Sequence, residues 1–468
     1  MGVSSKYAWL FCIAALPAAA PAAVLTFQEA TALAVQHNAT LRNAHANVAA
    51  AEQRRRAAYS GFFPQISGDV SYVDRSGSDI PPTITSTSDY STSVTVTQNL
   101  FAGFEDEARV EQGAANVDIA EAALNATKAQ LSSDVKTAFA GLLYAQDNVT
   151  LTENILRRLE ENLRLVELRF EGGRENKGSL LLSQASVAQG RFDRLQAQQA
   201  LTSAQARLAA VIGQATPLGR DAVGPVSRVA TANEVIPPSR VATANEVIPP
   251  SRVAAANAVA RDRVVPDLFA VGAVPLQPPP VGPDYAALMR NAPGLRDAIA
   301  RQRSAEADVR LARAGFYPTV SVSGTVGRDG SSWFPNNDSN VVSANVSIPL
   351  YSGGRDYYGE RGALAALDAV KADREGVEGQ LLVQLKQSYA AYVESVEQLK
   401  IAAQFVTAAE TRATIARARY QNGLISFEDW DRIENDLILR RKALLAAQRD
   451  RVNAEAAWEL AQGSGVIP

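Results

Sequence analysis

The residues that most often carry chemistry are nearly missing from this chain of 468: it has one cysteine, two histidines and two methionines. Cys12, His37 and His45 cannot supply the thiolate or imidazole ligands that a zinc, copper or iron centre needs, so no metal and no cofactor is expected. Nor is there a nucleophile elbow, or a glycine-rich phosphate loop placed after a strand. The two histidines fall in an amino-terminal amphipathic helix, where a solvated face is their expected place, and no enzyme is read from the chain. An excess of one charge is lacking as well: 46 Lys and Arg against 49 Asp and Glu give a net charge of -3, which removes nucleic acid as a partner. Beyond the first residues, no run of about twenty apolar residues could cross a bilayer as a helix. Any membrane span in the mature chain has to be made of strands.

What is present begins with a secretory signal over residues 1–23: Lys6 supplies the positive charge, Tyr7 to Leu16 the apolar stretch, and an Ala- and Pro-rich segment the cleavage zone. Cys12 lies inside the apolar stretch behind Phe11, where lipid attachment would need a small residue. Cleavage near residues 20–23 is expected to leave a mature chain without cysteine, as suits an oxidising compartment.

The rest is one plan used twice. Gly61-Phe62-Phe63-Pro64 recurs as Gly315-Phe316-Tyr317-Pro318, Leu100-Phe101-Ala102-Gly103 as Leu350-Tyr351-Ser352-Gly353, and Arg169-Phe170 with Gly173 as Arg419-Tyr420 with Gly423. Phe101 to Arg169 and Tyr351 to Arg419 each span 68 positions, so nothing is inserted along that stretch, and a constant length implies a mechanical constraint. Both stretches lack proline and are rich in good helix formers. Long helices are expected at 104–170 and 354–420, each about 100 Å at roughly 1.5 Å per residue. A heptad seam runs from Leu131, Val135, Ala138 and Leu142 to Val166 and Phe170, and 250 positions on from Leu381 and Leu385 to Ala416 and Tyr420. So narrow a seam suits coiled-coil pairing, or a ring of helices wetted on both walls, better than a globular core.

Ahead of each long helix the period changes to two. Ile66, Gly68, Val70 and Tyr72 alternate with polar neighbours, as do Val94 and Val96, then Val320, Val322, Gly324 and Val326, then Val342, Ala344, Val346 and Ile348. Each strand is about nine to eleven residues long, enough to cross a bilayer when tilted. Polar loops are expected at Asp74 to Asp89 and Arg328 to Asn340, and aromatics stand at the strand ends: Phe62, Phe63, Phe101, Phe316, Tyr317 and Tyr351. Four strands cannot close a barrel, and an open edge in lipid is costly, so several chains must combine. Two would give eight strands and three would give twelve; counting does not choose.

The expected organisation is therefore a first repeat at 24–213, with strand hairpin 65–101 and return helix 179–213; a connector at 214–283; and a second repeat at 284–468, with hairpin 319–351 and return helix 427–463. Within the connector a twelve-residue tandem repeat, 227–250, reads as slippage in a tolerant loop.

Taken in order, Leu25-Thr26-Phe27-Gln28-Glu29-Ala30, the duplicated strand-to-helix junctions and Arg419-Tyr420-Gln421-Asn422-Gly423 resemble the TolC-like outer-membrane efflux family. The resemblance implies an α+β membrane protein: a homotrimer whose twelve-stranded β-barrel, four strands per chain, continues into a long coiled-coil α-helical barrel. It also implies a place in the bacterial outer membrane reaching into the periplasm, and partners in a periplasmic adaptor (membrane fusion) protein, an inner-membrane pump of RND or ABC type, and outer-membrane lipid. The duct would conduct substrate passively for a tripartite efflux or type I secretion system. Solute efflux ranks ahead of polypeptide secretion, and metal efflux below both because Met and His are so scarce. A periplasmic coiled coil that transports nothing is the bland rival.

The resemblance further implies that the gate and adaptor-docking surface lie at the helix-tip turns, giving Gly172, Gly173, Arg174, Arg419, Tyr420, Gly423, Leu424, Asp429 and Arg432 as candidate residues. The second turn is small and apolar at Asn422-Gly423-Leu424; the first, from Gly172 to Gly178, is charged and is expected to be about three residues longer before Ser179. Six positions beyond Gly423 stands Asp429, and nine beyond stands Arg432, so a double acidic ring is absent and a salt-linked closure with Asp431 is the alternative. Ser426, three residues before Asp429, also fits a helix cap.

Overall fold

The computed structural model describes residues 23–75, 87–214 and 268–467; the segment 1–23 expected to be a secretory signal, apart from Ala23, and the tandem repeat at 227–250 lie outside the described residues. In chain order come β1 (Ala23–Leu25), α1 (Phe27–His37), α2 (Ala39–Ala58), β2 (Gln65–Arg75), β3 (Thr87–Ala102), α3 (Glu105–Glu171) and α4 (Lys177–Val211). There follow β4 (Leu268–Ala270), α5 (Tyr285–Asn291), α6 (Pro293–Ala314), β5 (Thr319–Gly330), β6 (Asn337–Ser347), α7 (Arg355–Gln421) and α8 (Phe427–Gln462).

The helices α3 and α7 each hold 67 residues, about 100 Å at the α-helical rise. Two successive left-handed residues turn strand into helix at each start, Gly103 and Phe104 in the first copy and Gly353 and Gly354 in the second. Where the second copy uses glycine, the first holds a phenylalanine at φ 68°, a conformation that costs about 1–2 kcal/mol for a residue with a side chain. The Phe104 ring stands edge-on to Phe101 at 5.1 Å and to Tyr317 at 5.4 Å, which offsets that cost. Three acidic residues, Glu105, Asp106 and Glu107, then fill the first turn of α3, where the helix dipole favours them.

The sheet runs β2-β3-β5-β6, antiparallel throughout, with β2 and β6 at its edges. Register places Ile66, Val96, Gly324 and Val342 side by side on one face, with Gly68, Val94 and Val326 in the next row. The opposite face carries rows of hydroxyls, paired at Ser71–Ser91 (2.8 Å), Thr95–Thr325 (3.0 Å) and Ser323–Ser343 (2.8 Å). Both hairpins differ from expectation. In the first, Asp74, Arg75 and 87–89 are paired strand and not loop. The second departs further. Its turn is confined to 331–336, because Arg328, Asp329 and Gly330 on one side and 337–340 on the other are paired strand. Backbone pairing continues where both faces become polar, so the alternation stops before the ladder does. Conversely, Ile348 continues the alternation but the ladder ends at Ser347.

Below the sheet the wall is built from stacked columns. The helix α4 ends where α2 begins, and Asn38 joins them: its side chain caps α2 by accepting from the Leu41 N–H and donates to the Val211 carbonyl at 3.0 Å. The arrangement recurs where α8 meets α6. Gly213 and Gly463, 250 positions apart, both have positive φ, and a Cβ at either would run into its neighbour, His37 at the end of α1 or Pro293 at the start of α6. Halfway along α3 the first of these joints, the β1–β4 pair and α1 gather into the main apolar core, with Phe27 edge-on to Phe139 at 5.6 Å. Beside it Lys136, 1% exposed, lies 2.9 Å from both Glu455 and Glu459. The apolar heptad seam gave no sign of that second buried stripe on α3. Both histidines are exposed.

Candidate functional site at the helix tips

Both long helices end in the same way. The N–H of Arg174 donates to the Arg169 carbonyl at 2.8 Å and that of Gly173 to Phe170 at 3.0 Å; Leu424 donates to Arg419 at 2.8 Å and Gly423 to Tyr420 at 2.9 Å. Such a closure needs a left-handed residue after the helix, which Gly173 (φ 67°) and Gly423 (φ 76°) supply. Gly172 and Asn422 remain on the helical side.

The expected difference in turn length is not present. Five residues separate the helices at each tip, 172–176 and 422–426. The return helix α4 starts at Lys177 rather than Ser179, because Asn176 caps it by accepting the Ser179 N–H at 2.9 Å, as Ser426 caps α8 by accepting the Asp429 N–H at 3.1 Å. Lys177 and Gly178 carry no apolar signal, which hid the first turn of α4 from the sequence.

The repeat symmetry breaks in the side chains. Tyr420 is fully buried, stacked on Trp430 at 4.3 Å, while its counterpart Phe170 is exposed. The Arg169 guanidinium lies over the Tyr420 ring, 4.5 Å from its centroid, and donates to the Tyr420 carbonyl at 2.6 Å; its counterpart Arg419 points to solvent. The Tyr420 hydroxyl donates to Glu175 of the other tip at 2.7 Å, and Arg169 lies 3.9 Å from the same carboxylate. Burial, then the Glu175 carboxylate that accepts its proton, pushes the Tyr420 hydroxyl far above the usual tyrosine range. Phe427 and Val166 complete the cluster.

One turn further along α8, Glu434 is buried and receives Arg158 of α3 through two bonds, 2.5 and 2.9 Å, and the Trp430 indole N–H at 3.2 Å. Arg417 to Glu161 (3.1 Å) and Lys442 to Asp193 (2.7 Å) are further links between the two helical hairpins. Asp429 and Arg432 face solvent and pair with each other at 3.1 Å within α8. Asp431 is half-buried; desolvation holds its carboxyl above the usual range, against the hydrogen bond from Asn435 and with the help of nearby Glu434. Leu424, at 71% exposure, is the apolar point of the second tip, with Arg174 exposed on the first.

Of the candidate residues, only Tyr420 enters the buried contact between the tips. Sequence reasoning missed Arg158, Trp430 and Glu434; it marked Arg169 as a landmark of the repeat and placed Glu175 within the first tip turn, without giving either a contact. A usable signal existed in Trp430, one of four tryptophans in the chain, ten residues beyond the helix-ending tyrosine.

Comparison with known proteins gives consistent matches. The family described as outer membrane efflux protein matches residues 31–214 and 285–464. Protein CyaE of Bordetella pertussis is 29% identical over 181 residues, 38% of either chain. The solvent efflux pump outer membrane protein SrpC of Pseudomonas putida is 25% identical over 200 residues, 42% of this chain and 41% of that one. The chain thus spans about two fifths of the length of these curated relatives. The structure of the outer membrane protein VceC of Vibrio cholerae shares the fold, with a TM-score of 0.72 and 20% identity over 94% of this chain and 96% of that one.

Proposed function

The chain belongs to the outer membrane efflux protein family, and from that premise we propose that three copies close into one duct which conducts solutes passively from an inner-membrane pump, through an adaptor, to the cell exterior.

The observation that carries this reading is a pair of exposed apolar seams, the Phe405 ring of the second covered on one side by the Arg440 guanidinium at 4.6 Å. Within one chain α4 packs on α3, α3 on α8 and α8 on α7, so α4 and α7 form the two edges. On the outward side of α4, Leu181, Ala185, Ala188, Phe192 and Leu195 are exposed at heptad spacing; on α7, Ile401, Phe405, Ala408 and Ile415 are exposed likewise. One helix climbs from the tip and the other descends to it. Phe192 lies 15 residues above Lys177 and Phe405 lies 16 residues above Gln421, so both rings sit roughly 22–24 Å from the tips at the α-helical rise. Such seams match when α4 of one copy meets α7 of the next, in the antiparallel geometry of a coiled coil. The free edges β2 and β6 are antiparallel in the same sense and close a barrel by the same operation. Its apolar face would meet lipid and its hydroxyl-lined face the pore.

In this reading the buried contact among Arg169, Glu175, Tyr420 and Trp430 holds the two hairpins together when the periplasmic end is shut, and Leu424 with the first tip offers the adaptor its docking surface. Cysteines introduced at Phe192 and Phe405 test the assembly, since Cys12 lies in the signal sequence. Oxidation of the double variant should build a ladder that stops at three chains. A ladder that never passes a monomer, or one that continues beyond three, would contradict a closed trimer.

A further inference from the structure

The turn of the second hairpin, 331–336, does not extend the barrel upward but folds back over one face of the sheet. Ser332 Oγ donates to the Phe334 carbonyl at 3.0 Å, and Pro335 closes against Gly330. Phe334 and Pro335 form one wall of a cleft of about 570 Å³ whose other wall includes Thr92, Val94, Val326 and Arg328. By register these four belong to the apolar face, as do Tyr72 and Tyr90. The Trp333 ring stands edge-on to Tyr90 at 5.5 Å, and Tyr90 lies 4.8 Å from Tyr72. Trp333 and Phe334 are nonetheless 72% and 82% exposed.

Two large rings left open at a turn are a liability in water and are favoured at the boundary between headgroups and acyl chains. The strand ends that bear the turn hold the Arg328–Asp338 pair, 2.8 Å apart, a polar step between the apolar rows of the sheet and the two rings, of the kind a headgroup layer accommodates. From this placement we infer that the 331–336 turn is a membrane anchor, seated in the outer leaflet by Trp333 and Phe334, and not a lid over the pore. The inference rests on the reading that the apolar sheet face meets lipid. It assigns the turn to the outside of the barrel, so the extracellular mouth is left uncovered by this hairpin.

The chain carries a convenient reporter. Trp9 lies in the signal sequence, and Trp430 and Trp458 are buried in the helical region, leaving Trp333 as the tryptophan of the sheet. The mature protein, reconstituted in phosphatidylcholine vesicles whose acyl chains are brominated close to the headgroup, should lose on the order of half of its Trp333 emission, as an interfacial indole does, and resist iodide. The Trp333→Phe variant, whose remaining tryptophans Trp430 and Trp458 are buried, should lose the quenching by brominated lipid. Trp333→Ser with Phe334→Ser should leave single-channel conductance unchanged while weakening retention in the bilayer. Quenching of Trp333 by iodide but not by brominated lipid, or a conductance that rises in the double variant, would overturn the anchor. An Ile66→Trp probe in the Trp333→Phe background, four residues along β2 from the row that holds Arg328 and Asp338, separates the two levels. If Ile66→Trp is quenched by deeply brominated lipid and Trp333 by neither deep nor shallow bromine, the lipid-facing sheet stands and the anchor falls; if Ile66→Trp is not quenched either, both fall.

Discussion

The Tyr420 hydroxyl donates a hydrogen bond to Glu175 across the gap between the tips, so one neutral hydroxyl joins two hairpins that would otherwise touch mainly through apolar side chains. Tyr420→Phe keeps the stack on Trp430 and removes that donor, leaving the half-buried Glu175 carboxylate short of a partner. The expected loss is about 1.5–3 kcal/mol, the usual range for a bond to a charged acceptor. It should read out as a shorter closed-state lifetime in planar bilayers, whereas Asp429→Ala with Arg432→Ala should change little, because that pair is exposed and confined to one helix. Asp431 gives a pH dependence of definite sign. Its carboxyl is raised in the folded state by burial, so the folded protein holds its proton more tightly than the unfolded chain does, and stability falls as pH rises from the ordinary carboxylate range through the raised value. Asp431→Asn should therefore leave the thermal midpoint at neutral pH equal or higher, and should remove part of the gain on mild acidification. A lower midpoint at neutral pH would show that the ionised carboxylate is doing something the burial argument omits.

At the scale of the element, the sequence was legible where one period persisted. The 67-residue helices, the strand alternation and the 250-residue offset follow from composition and spacing, and the structure carries the offset into the joints at Gly213 and Gly463 as well. Elements were misjudged where the period lapsed: the outer ends of β5 and β6 turn polar on both faces, and α4 opens with Lys177 and Gly178. Buried charge escaped for a different reason. Lys136 lies beside the apolar seam of α3, and Glu434 and Glu455 lie on α8, each on a face whose partner helix only the fold reveals. The same fold exposes the seams on α4 and α7. Phe192→Asp should disperse the oligomer, because a carboxylate against Phe405 cannot be desolvated cheaply. Size-exclusion chromatography with light scattering in detergent should show a shift toward monomer, while circular dichroism keeps the helical signal. An unchanged oligomer would place the interface elsewhere.

For the molecule as a whole, dimensions follow from two rises. Helices of about 100 Å and strands of 11 to 16 residues, tilted as barrel strands are, make a particle roughly 130 Å long. Within it the apolar sheet face, the aromatic residues at both ends of the sheet and the polar helical wall divide the length into a membrane part and a longer aqueous part. The division needs closure to be stable, since neither the sheet edges nor the α4 and α7 seams are satisfied in a single chain. Single-particle imaging of the mature protein extracted in detergent tests this most directly. The account predicts a three-fold particle of about that length, with a short barrel at one end and a helical tunnel tapering to the Gly173 and Gly423 turns at the other. A two-fold particle, or a soluble rod without a detergent belt, would contradict it.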